Sequence, residues 1–350
     1  MRVICLHGKL AWHLRPGAGK LDFMDIEWDC VVVGGGAAGL SAALVLGRSR
    51  RRTLLVDEGE QSNLAADGIG GLLGHDGRPP AELYAAGRAE LAAYPTVEVR
   101  RGAVTTGISD GGSFVLELAD GSRVRTRRVL LATGMDYEAP PIAGLAELWG
   151  RSAFHCPFCH GWEARDQPLA VLAQGDRAVH MALMLRGWTD DVVVLTNGQA
   201  GLEPAHREQL SAAGVTVDER EIAEFISESG ELAAVEFTEG PPLARRGVLV
   251  GASLRQRSTL AAQLGVAVLA PNPVVVDGIE VDPFHRTSVP GVFAAGDLSA
   301  AIPQVAGAIA AGSMAATAAV QSLLADDFGL PVPAWPIKNS TEKEHVNAHA

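Results

Sequence analysis

Short apolar runs that alternate with helical patterns make up most of the chain between residues 29 and 325. Residues 29–33 end in three β-branched valines and are followed at once by glycines, which predicts a buried strand and a tight turn. Residues 37–47 are small and apolar and predict a helix packed close to a sheet, and residues 53–57 predict the next strand. These three segments have the spacing of a βαβ unit, which takes about 30 residues.

The same rhythm continues to residue 132 and starts again after residue 168. The Pro-rich residues 136–144 between the two parts predict a linker. The simplest arrangement is two α/β units, with the end of the chain returning to the first. The other predicted strands are 97–100, 114–118, 123–127, 129–132, 169–172, 192–195, 215–217, 232–237, 247–250, 274–276, 279–281 and 291–295, and the other predicted helices are 79–94, 178–185, 206–213 and about 303–325.

Length and charge exclude several classes of protein. The 350 residues suggest two domains at about 150 residues each. Lys and Arg number 29 against 41 Asp and Glu, so the net charge is −12 and the chain lacks the broad basic surface that nucleic acids need. The apolar runs are much shorter than the roughly 18 residues of a membrane span. We therefore expect neither a nucleic-acid partner nor a membrane partner.

The two ends of the chain differ in composition from its body. All four lysines lie at 9, 20, 338 and 343, and Met24 immediately precedes the first strand pattern. We expect residues 1–24 to be an N-terminal extension that is disordered or not translated, and residues 329–350 to be a frayed C-terminal tail. A signal peptide is not visible, and four cysteines are too few for a disulfide scaffold, so we expect a cytoplasmic protein.

The strongest local motif is a glycine fingerprint between the first strand and the first helix. Gly34 would make the turn, Gly36 would let a pyrophosphate approach the backbone, and Gly39 would let helix and strand pack closely. Asp57 ends the next strand, where it could accept a hydrogen bond from a ribose hydroxyl. The combination predicts a dinucleotide site at the helix N-terminus. The alternative is a structural turn.

A second motif is the pair Cys156 and Cys159, separated by Pro157 and Phe158. Pro157 suits the first position of a helix, which puts Cys156 at the N-cap, where the helix dipole lowers the pKa of a thiol. A structural zinc site usually takes four ligands, often from two such pairs, and a second CxxC does not occur. We therefore expect a redox-active dithiol and no metal site, with zinc and an inert pair as the alternatives.

A histidine on each side of the pair could move protons. His160 follows Cys159 directly, and an imidazole titrates in the range that suits proton transfer to and from thiols. His155 is the weaker candidate for the same role. A packed or solvent-facing histidine is the alternative for both.

Together these motifs resemble the low-molecular-weight thioredoxin reductase family of flavoproteins. The resemblance covers about residues 28–325 and rests on VVVGGGAAGLSAAL, on LLATG at 130–134, on the CxxC and on TSVPGVFAAGD at 287–297. Within that family, CxxC followed by His-Gly, as in CPFCHGWE, resembles the dithiol oxidases that close disulfides in natural products such as gliotoxin and holomycin.

The resemblance implies an α/β fold of two Rossmann-like, three-layer domains, the second inserted into the first, in a homodimer. An FAD-binding domain would comprise residues 25–139 plus 251–328, and an NAD(P)-binding-like domain, residues 140–250, would carry the CxxC. The same resemblance implies that Asp297 binds the ribityl chain of FAD and that Gln304 and Val305 run beside the flavin ring. The other residues that it places at the flavin are Asn63, Thr133, Gly134 and Gly296.

Two departures from the family pattern make NADPH a doubtful cofactor. Ala173 stands where the second glycine fingerprint would begin, and the strand 192–195 runs into Thr196 and Asn197 without an arginine cluster or an acid. Arg177 could meet a phosphate, but we expect a solvated surface arginine.

These observations predict an FAD-dependent dithiol oxidase. A small-molecule dithiol would reduce the Cys156–Cys159 disulfide, with His160 as the acid and base, and Cys159, nearer the flavin by family analogy, would pass electrons to FAD and then to O2, which gives H2O2. The first alternative is an NAD(P)H- or ferredoxin-linked disulfide reductase acting on a thioredoxin-like protein. A second alternative is a redox sensor that binds flavin without turnover.

Overall fold

The computed structural model describes residues 28–199, 201–300 and 302–336. The predicted N-terminal extension, 1–24, and residues 337–350 of the predicted tail lie outside the described residues.

Strands and helices alternate along most of the described chain. The strands are β1 Trp28–Val33, β2 Thr53–Asp57, β3 Val97–Arg101, β4 Val104–Asp110, β5 Ser113–Leu118, β6 Arg123–Leu131, β7 Met135–Glu138, β8 Ala153–Phe154, β9 Leu169–Leu172, β10 Val192–Leu195, β11 Thr216–Asp218, β12 Ile222–Glu228, β13 Glu231–Phe237, β14 Leu243–Ala244, β15 Gly247–Val250, β16 Ser253–Gln256 and β17 Val292–Ala294. The helices are α1 Ala37–Arg48, α2 Pro80–Leu91, α3 Pro157–His160, α4 Gly175–Leu185, α5 Pro204–Ala212, α6 Leu260–Gln263 and α7 Val305–Phe328, with short 3-10 turns at Ala146–Leu148 and Gly296–Leu298.

The first sheet has the order β3-β2-β1-β6-β5-β4, and β17 also pairs with β6. β1 is parallel to both β2 and β6, and β5 and β6 form an antiparallel hairpin. Side chains alternate across β1: Val31 and Val33 pack on one face, and Cys30 and Val32 on the face covered by α1 and α7. The strand therefore contributes apolar side chains to both faces, as its unbroken hydrophobic run predicts.

The second sheet has the order β11-β10-β9-β15-β8, and every pairing in it is parallel. Its strands all lie between β7 and β16, whereas β17, which follows them in the chain, returns to the first sheet beside β6. The predicted arrangement of two α/β units, the second inserted into the first, is therefore the observed one.

The two chain crossings between the units are hydrogen-bonded to each other. β7 pairs antiparallel with β16, with Tyr137 opposite Leu254 and Glu138 opposite Ser253. The prediction of a linker over 136–144 is therefore wrong for its first residues. Burial in β7 alternates, with Met135 fully buried and Asp136 exposed. This period of two is short and is followed by two prolines, and such a pattern does not distinguish a strand from a linker.

Other corrections have local causes. Residues 123–127 and 129–132 were predicted as separate strands, but β6 is continuous through Arg128, whose guanidinium lies buried against Ser322 and Asp326. Residues 274–276 and 279–281 were predicted as strands but form isolated bridges, at Leu254–Val275 and Val268–Ile279.

Helix α7 corrects one further expectation. By length and composition alone it is apolar enough to cross a membrane, so the expectation that no apolar run reaches that length is wrong. Its small residues pack against α1, and a Cβ at Gly312 would lie 2.0 Å from the carbonyl oxygen of Ala38. A helix in the core of a soluble protein passes the same test of length and composition.

Paired charges fix the C-terminal end of α7. Arg127 Nη2 donates to Asp327 Oδ1 at 2.7 Å, and Arg51 Nη1 donates to Asp327 Oδ2 at 3.1 Å. Of the Arg-rich turn 48–52, only Arg51 is half-buried, and the other four residues are exposed. Burial raises the pKa of Asp327, but the hydrogen bonds and charges of Arg127 and Arg51 outweigh it and leave this pKa below its ordinary value.

We predict that Asp327→Asn lowers the free energy of unfolding by about 1 kcal/mol at neutral pH, since the pairs are partly exposed. The stabilisation is present above the ordinary carboxyl pKa and disappears as pH falls through the lowered pKa of folded Asp327. Urea unfolding at several pH values tests this. Asp190→Asn, at a fully exposed side chain paired with Arg186, is the control and should leave stability unchanged. A difference between wild type and Asp327→Asn that persists below that pKa would contradict the assignment.

Candidate active site

The glycine turn between β1 and α1 is shaped by close backbone contacts. Gly34 has φ of +105°, and a Cβ there would lie 2.2 Å from the carbonyl oxygen of Ala132. A Cβ at Gly39 would lie 1.8 Å from the carbonyl oxygen of Gly34, whereas a Cβ at Gly36 would have only Gln61 Cγ nearby, at 3.6 Å. Gly34 and Gly39 are therefore required by packing. Gly36, at the N-cap of α1, borders open space.

Asp57 at the end of β2 is bound to the same turn. Its Oδ1 accepts the backbone N–H groups of Gly35 at 3.0 Å and Gly59 at 3.1 Å, and Gln61 Nε2 donates to it at 3.1 Å. A Cβ at Gly35 would lie 2.3 Å from Asp57 Cγ, so Gly35 is a further required glycine that the spacing of the fingerprint does not mark. Asp57 is largely buried and lines the cleft described next.

A single cleft brings most of the predicted site residues together. It holds about 1580 Å³ of space free of protein atoms, including its mouth. The predicted cofactor residues that line it are Gly34, Gly36, Asp57, Asn63, Thr133, Gly134, Gly296, Asp297, Gln304 and Val305. Gly39 does not line the cleft and instead lies beneath the turn. Gly68, Ile69 and Gly70 also line the cleft.

The dithiol lies at this cleft. Cys156 is the N-cap of α3 and Pro157 its first residue, as predicted. Cys159 lines the cleft and is half-buried, whereas Cys156 is buried and does not line it. Gly70 packs on Cys159 so closely that a Cβ would lie 2.4 Å from the Cys159 carbonyl oxygen. The cysteine at the cleft is therefore Cys159.

The two thiols of the pair differ in acidity. A hydrogen bond from the Cys159 thiol lowers the pKa of Cys156, with help from the backbone N–H groups of Cys159 and Phe158, and burial opposes this. The same hydrogen bond, together with burial, raises the pKa of Cys159. Cys156 is thus the more acidic thiol of the pair.

His160 also lines the cleft, and neither of its buried ring nitrogens makes a well-aligned hydrogen bond, although the backbone groups of Gly150 and Cys156 lie close to the ring. Its ring stacks on Phe154, with centroids 5.6 Å apart and planes 15° apart. Burial lowers the pKa of His160, so the ring is neutral near pH 7 and one nitrogen is free to accept a proton.

His155 lies in a different environment. Its ring is 4.3 Å from that of Tyr137 and 6.0 Å from that of Trp149, centroid to centroid. Burial lowers the pKa of His155 to about 4, which makes it a weak base at neutral pH. Of the two histidines, His160 is better suited to accept a thiol proton.

Several residues that line the cleft were not predicted from the sequence. Tyr137 donates its hydroxyl to Asp297 Oδ2 at 3.0 Å. Arg257 Nε donates to Asp136 Oδ1 at 2.7 Å, and its Nη1 donates to the carbonyl oxygen of Glu60. Tyr84 donates to Asn63 Oδ1 at 2.8 Å. These contacts join segments far apart in the chain, and a local motif does not mark them.

In the second glycine-containing turn, between β9 and α4, two side chains hydrogen-bond to backbone carbonyl groups. Gln174 Nε2 donates to the carbonyl oxygen of Thr196 at 2.8 Å. Arg177 donates to three carbonyl oxygens, those of Gly251 at 3.1 Å, Ala252 at 2.6 Å and Pro273 at 3.1 Å. Arg177 is half-buried, so the expectation of a solvated surface arginine is wrong.

Within the described residues, no group of three or more His, Cys, Asp or Glu side chains is arranged to hold a metal ion. A dinucleotide-type cleft with one cysteine of a CxxC pair in its wall is typical of the class of disulfide oxidoreductases. The sequence profile described as pyridine nucleotide-disulphide oxidoreductase matches residues 28–319. The chain belongs to this family and is a flavin-dependent oxidoreductase, and the family implies FAD as its cofactor.

This chain is similar to individual relatives over most of their length. "Thioredoxin reductase tcpT" of Claviceps purpurea is 33% identical over 308 residues, which cover 85% of this chain and 95% of the relative. Among solved structures, HlmI is 39% identical with a TM-score of 0.81, covering 86% of this chain and 94% of HlmI. An oxidoreductase from Agrobacterium tumefaciens is 38% identical with a TM-score of 0.80, covering 85% of this chain and 99% of the oxidoreductase. The predicted thioredoxin reductase-like fold of two Rossmann-like domains is confirmed.

Proposed function

We propose that this chain is an FAD-dependent dithiol oxidase that forms a disulfide in a small-molecule dithiol and releases H2O2. The observation that carries the proposal is the contrast between the two glycine turns. The first opens onto the cleft that holds Cys159, whereas the second has Ala173 in place of its first glycine, and the side chains of Gln174 and Arg177 beside it are bonded to backbone carbonyl groups. An electron donor other than NADPH is then needed, and a substrate dithiol supplies it.

The described residues fit FAD. Gly36 leaves the N-terminus of α1 open for a pyrophosphate, and Asp297 presents a carboxylate to the cleft for the ribityl hydroxyls. Gln304 and Val305, at the start of α7, would lie beside the flavin ring. Bound FAD would accept the electron pair of the enzyme dithiol and pass it to O2, which gives H2O2.

In the proposed reaction a substrate thiolate attacks the Cys156–Cys159 disulfide at Cys156, and Cys159 leaves. The second substrate thiolate then attacks the substrate sulfur bonded to Cys156, so the substrate disulfide forms and Cys156 leaves. Two electrons and two protons pass from the substrate to the enzyme dithiol. The lowered pKa of Cys156 suits it to act as the leaving group when the substrate disulfide forms, because a more acidic thiol leaves faster.

His160 would carry the protons of this exchange. Its neutral ring accepts a proton from a substrate thiol and returns it to the departing sulfur of Cys159.

We further propose a cytoplasmic homodimer, with an FAD-binding domain of residues 25–139 plus 251–328 and an inserted domain of residues 140–250.

The second candidate function is an NAD(P)H- or ferredoxin-linked disulfide reductase. Relatives such as those from Claviceps purpurea and Aspergillus oryzae carry the name thioredoxin reductase, which favours it. Phe158 and Trp162 beside the cysteine pair are 59% and 66% exposed, which would suit a thioredoxin-like protein partner.

One experiment separates the two functions. The purified flavoprotein is mixed without oxygen with dithiothreitol or with NADPH, and the visible flavin absorbance is followed before air is admitted. We predict that the dithiol bleaches the flavin, that NADPH does so far more slowly, and that H2O2 appears in air in proportion to the dithiol consumed. Fast bleaching by NADPH would overturn the oxidase and support the reductase.

A further inference from the structure

Tyr137 lies in β7, the first crossing between the two units, and contacts both halves of the proposed site. Its hydroxyl donates to Asp297 Oδ2 at 3.0 Å, and its ring lies 4.3 Å from the ring of His155, centroid to centroid. The ring of Trp149 also stacks on His155, with centroids 6.0 Å apart and planes 17° apart. His155 immediately precedes Cys156 in the chain. One side chain therefore joins the flavin-side carboxylate to the segment that carries the dithiol.

The hydroxyl of Tyr137 remains a donor over the physiological range. Burial and the neighbouring Asp297 carboxylate raise the pKa of Tyr137. Burial also raises the pKa of Asp297, and the hydrogen bond from Tyr137 and the charge of Arg257 oppose that rise. Loss of the hydroxyl would therefore make Asp297 easier to protonate.

We propose that Tyr137 is a positioning residue that holds Asp297 through its hydroxyl and His155 through its ring, and so fixes the dithiol segment relative to the bound flavin. This inference rests on the proposed function, since Asp297 is assigned there to the ribityl chain of FAD. The two contacts are separable, because phenylalanine keeps the ring and removes only the donor.

The chain has three tyrosines, and the other two supply contrasts. Tyr84 donates to Asn63, at a different point of the cleft. The Tyr94 hydroxyl accepts a hydrogen bond from Arg48 Nη1 at 3.0 Å at the protein surface. Tyr94→Phe is therefore a matched control that removes a tyrosine hydroxyl outside the site.

The hydroxyl is tested by titrating flavin-free wild type, Tyr137→Phe and Tyr94→Phe with FAD from about pH 5 to pH 8. We expect Tyr137→Phe to weaken FAD binding about tenfold near pH 7, the usual effect of losing a hydrogen bond to a charged group. The loss of affinity on acidification should also begin at higher pH than in wild type, because Asp297 protonates more readily. Besides Tyr137, the charged and titratable groups that face Asp297 are Arg257, Tyr84 and Cys159. All three are unchanged in the variant.

The ring is tested by comparing Tyr137→Phe with Tyr137→Leu, each saturated with FAD. Under anaerobic conditions, dithiothreitol should reduce the flavin of wild type and Tyr137→Phe at similar rates. Tyr137→Leu should be slower, because His155 loses its aromatic ring contact on that side and the dithiol segment is less well placed.

Identical FAD affinities and pH profiles for wild type and Tyr137→Phe would overturn the hydroxyl role. Equal flavin reduction rates for the Leu and Phe variants would overturn the ring role. Thermal melting of the Tyr137→Phe variant verifies that it folds. A wild-type protein that binds no flavin would overturn the proposed function and this inference together. This inference alone would be overturned if wild type binds and reduces flavin normally, Tyr137→Phe keeps the wild-type FAD affinity, and Tyr137→Leu is reduced as fast as Tyr137→Phe.

Discussion

Cys159→Ser should reduce the rate of dithiol-dependent flavin reduction by at least about 10³-fold, the scale of loss seen when a reacting nucleophile is removed. Cys159 is the cysteine at the cleft, so a serine there leaves the proposed flavin site without a neighbouring sulfur. The variant should still bind FAD, because the glycine turn and Asp297 are unaltered. Stopped-flow absorbance under anaerobic conditions, with dithiothreitol as the reductant, measures the rate.

Cys156→Ser should lose turnover to the same extent, because neither cysteine alone can form the disulfide. Cys30→Ala is the control. Cys30 is fully buried in β1, and burial raises the pKa of its thiol to about 12, so we expect it to take no part in thiol exchange. Its removal should leave the flavin reduction rate unchanged. Substantial activity in Cys159→Ser would refute the proposed mechanism.

Gly39→Ala should lower the free energy of unfolding by about 3 kcal/mol and abolish flavin retention, as expected of a methyl group forced into close-packed structure. The added Cβ would lie 1.8 Å from the carbonyl oxygen of Gly34, so α1 has to move away from β1. Urea unfolding and the ratio of visible to ultraviolet absorbance in the purified protein measure the two effects.

Gly36→Ala is the matched comparison for this prediction. Its Cβ would meet only Gln61 Cγ, at 3.6 Å, so the stability of the flavin-free protein should stay close to that of wild type. Affinity for FAD should nevertheless fall, because the methyl group occupies the space left for the pyrophosphate. A variant that retains both stability and flavin would contradict the placement of the phosphates at this turn.

Features that depend on neighbouring residues could be predicted from the sequence. The turn at Gly34, the helix that follows it and the N-cap position of Cys156 are all set within a few residues, and the structure has them where the patterns place them. The insertion of one unit into the other came from the family resemblance, because apolar periodicity marks strands but does not say which sheet they join.

Features that depend on distant partners could not be predicted. The hydrogen bond from Tyr137 to Asp297 joins residues 160 positions apart. Arg177 was expected at the surface, yet its guanidinium is held by carbonyl groups 74 and 75 residues further along the chain. Arg128 suggested a break between two strands, whereas Asp326 and Ser322 from α7 neutralise and bury it. In each case a charged or polar side chain was accommodated by a partner that only the fold brings near.

The pairing of β7 with β16 makes the inserted unit structurally modular. Glu138 and Ser253 are opposite each other in an antiparallel ladder, so the chain leaves the first unit and re-enters it at nearly the same point. The 114 residues between them add a second sheet without separating the strands of the first. We expect that a tight hairpin between β7 and β16 could replace that whole segment and leave the strand order of the first sheet unchanged, because the two ends of the segment lie close together.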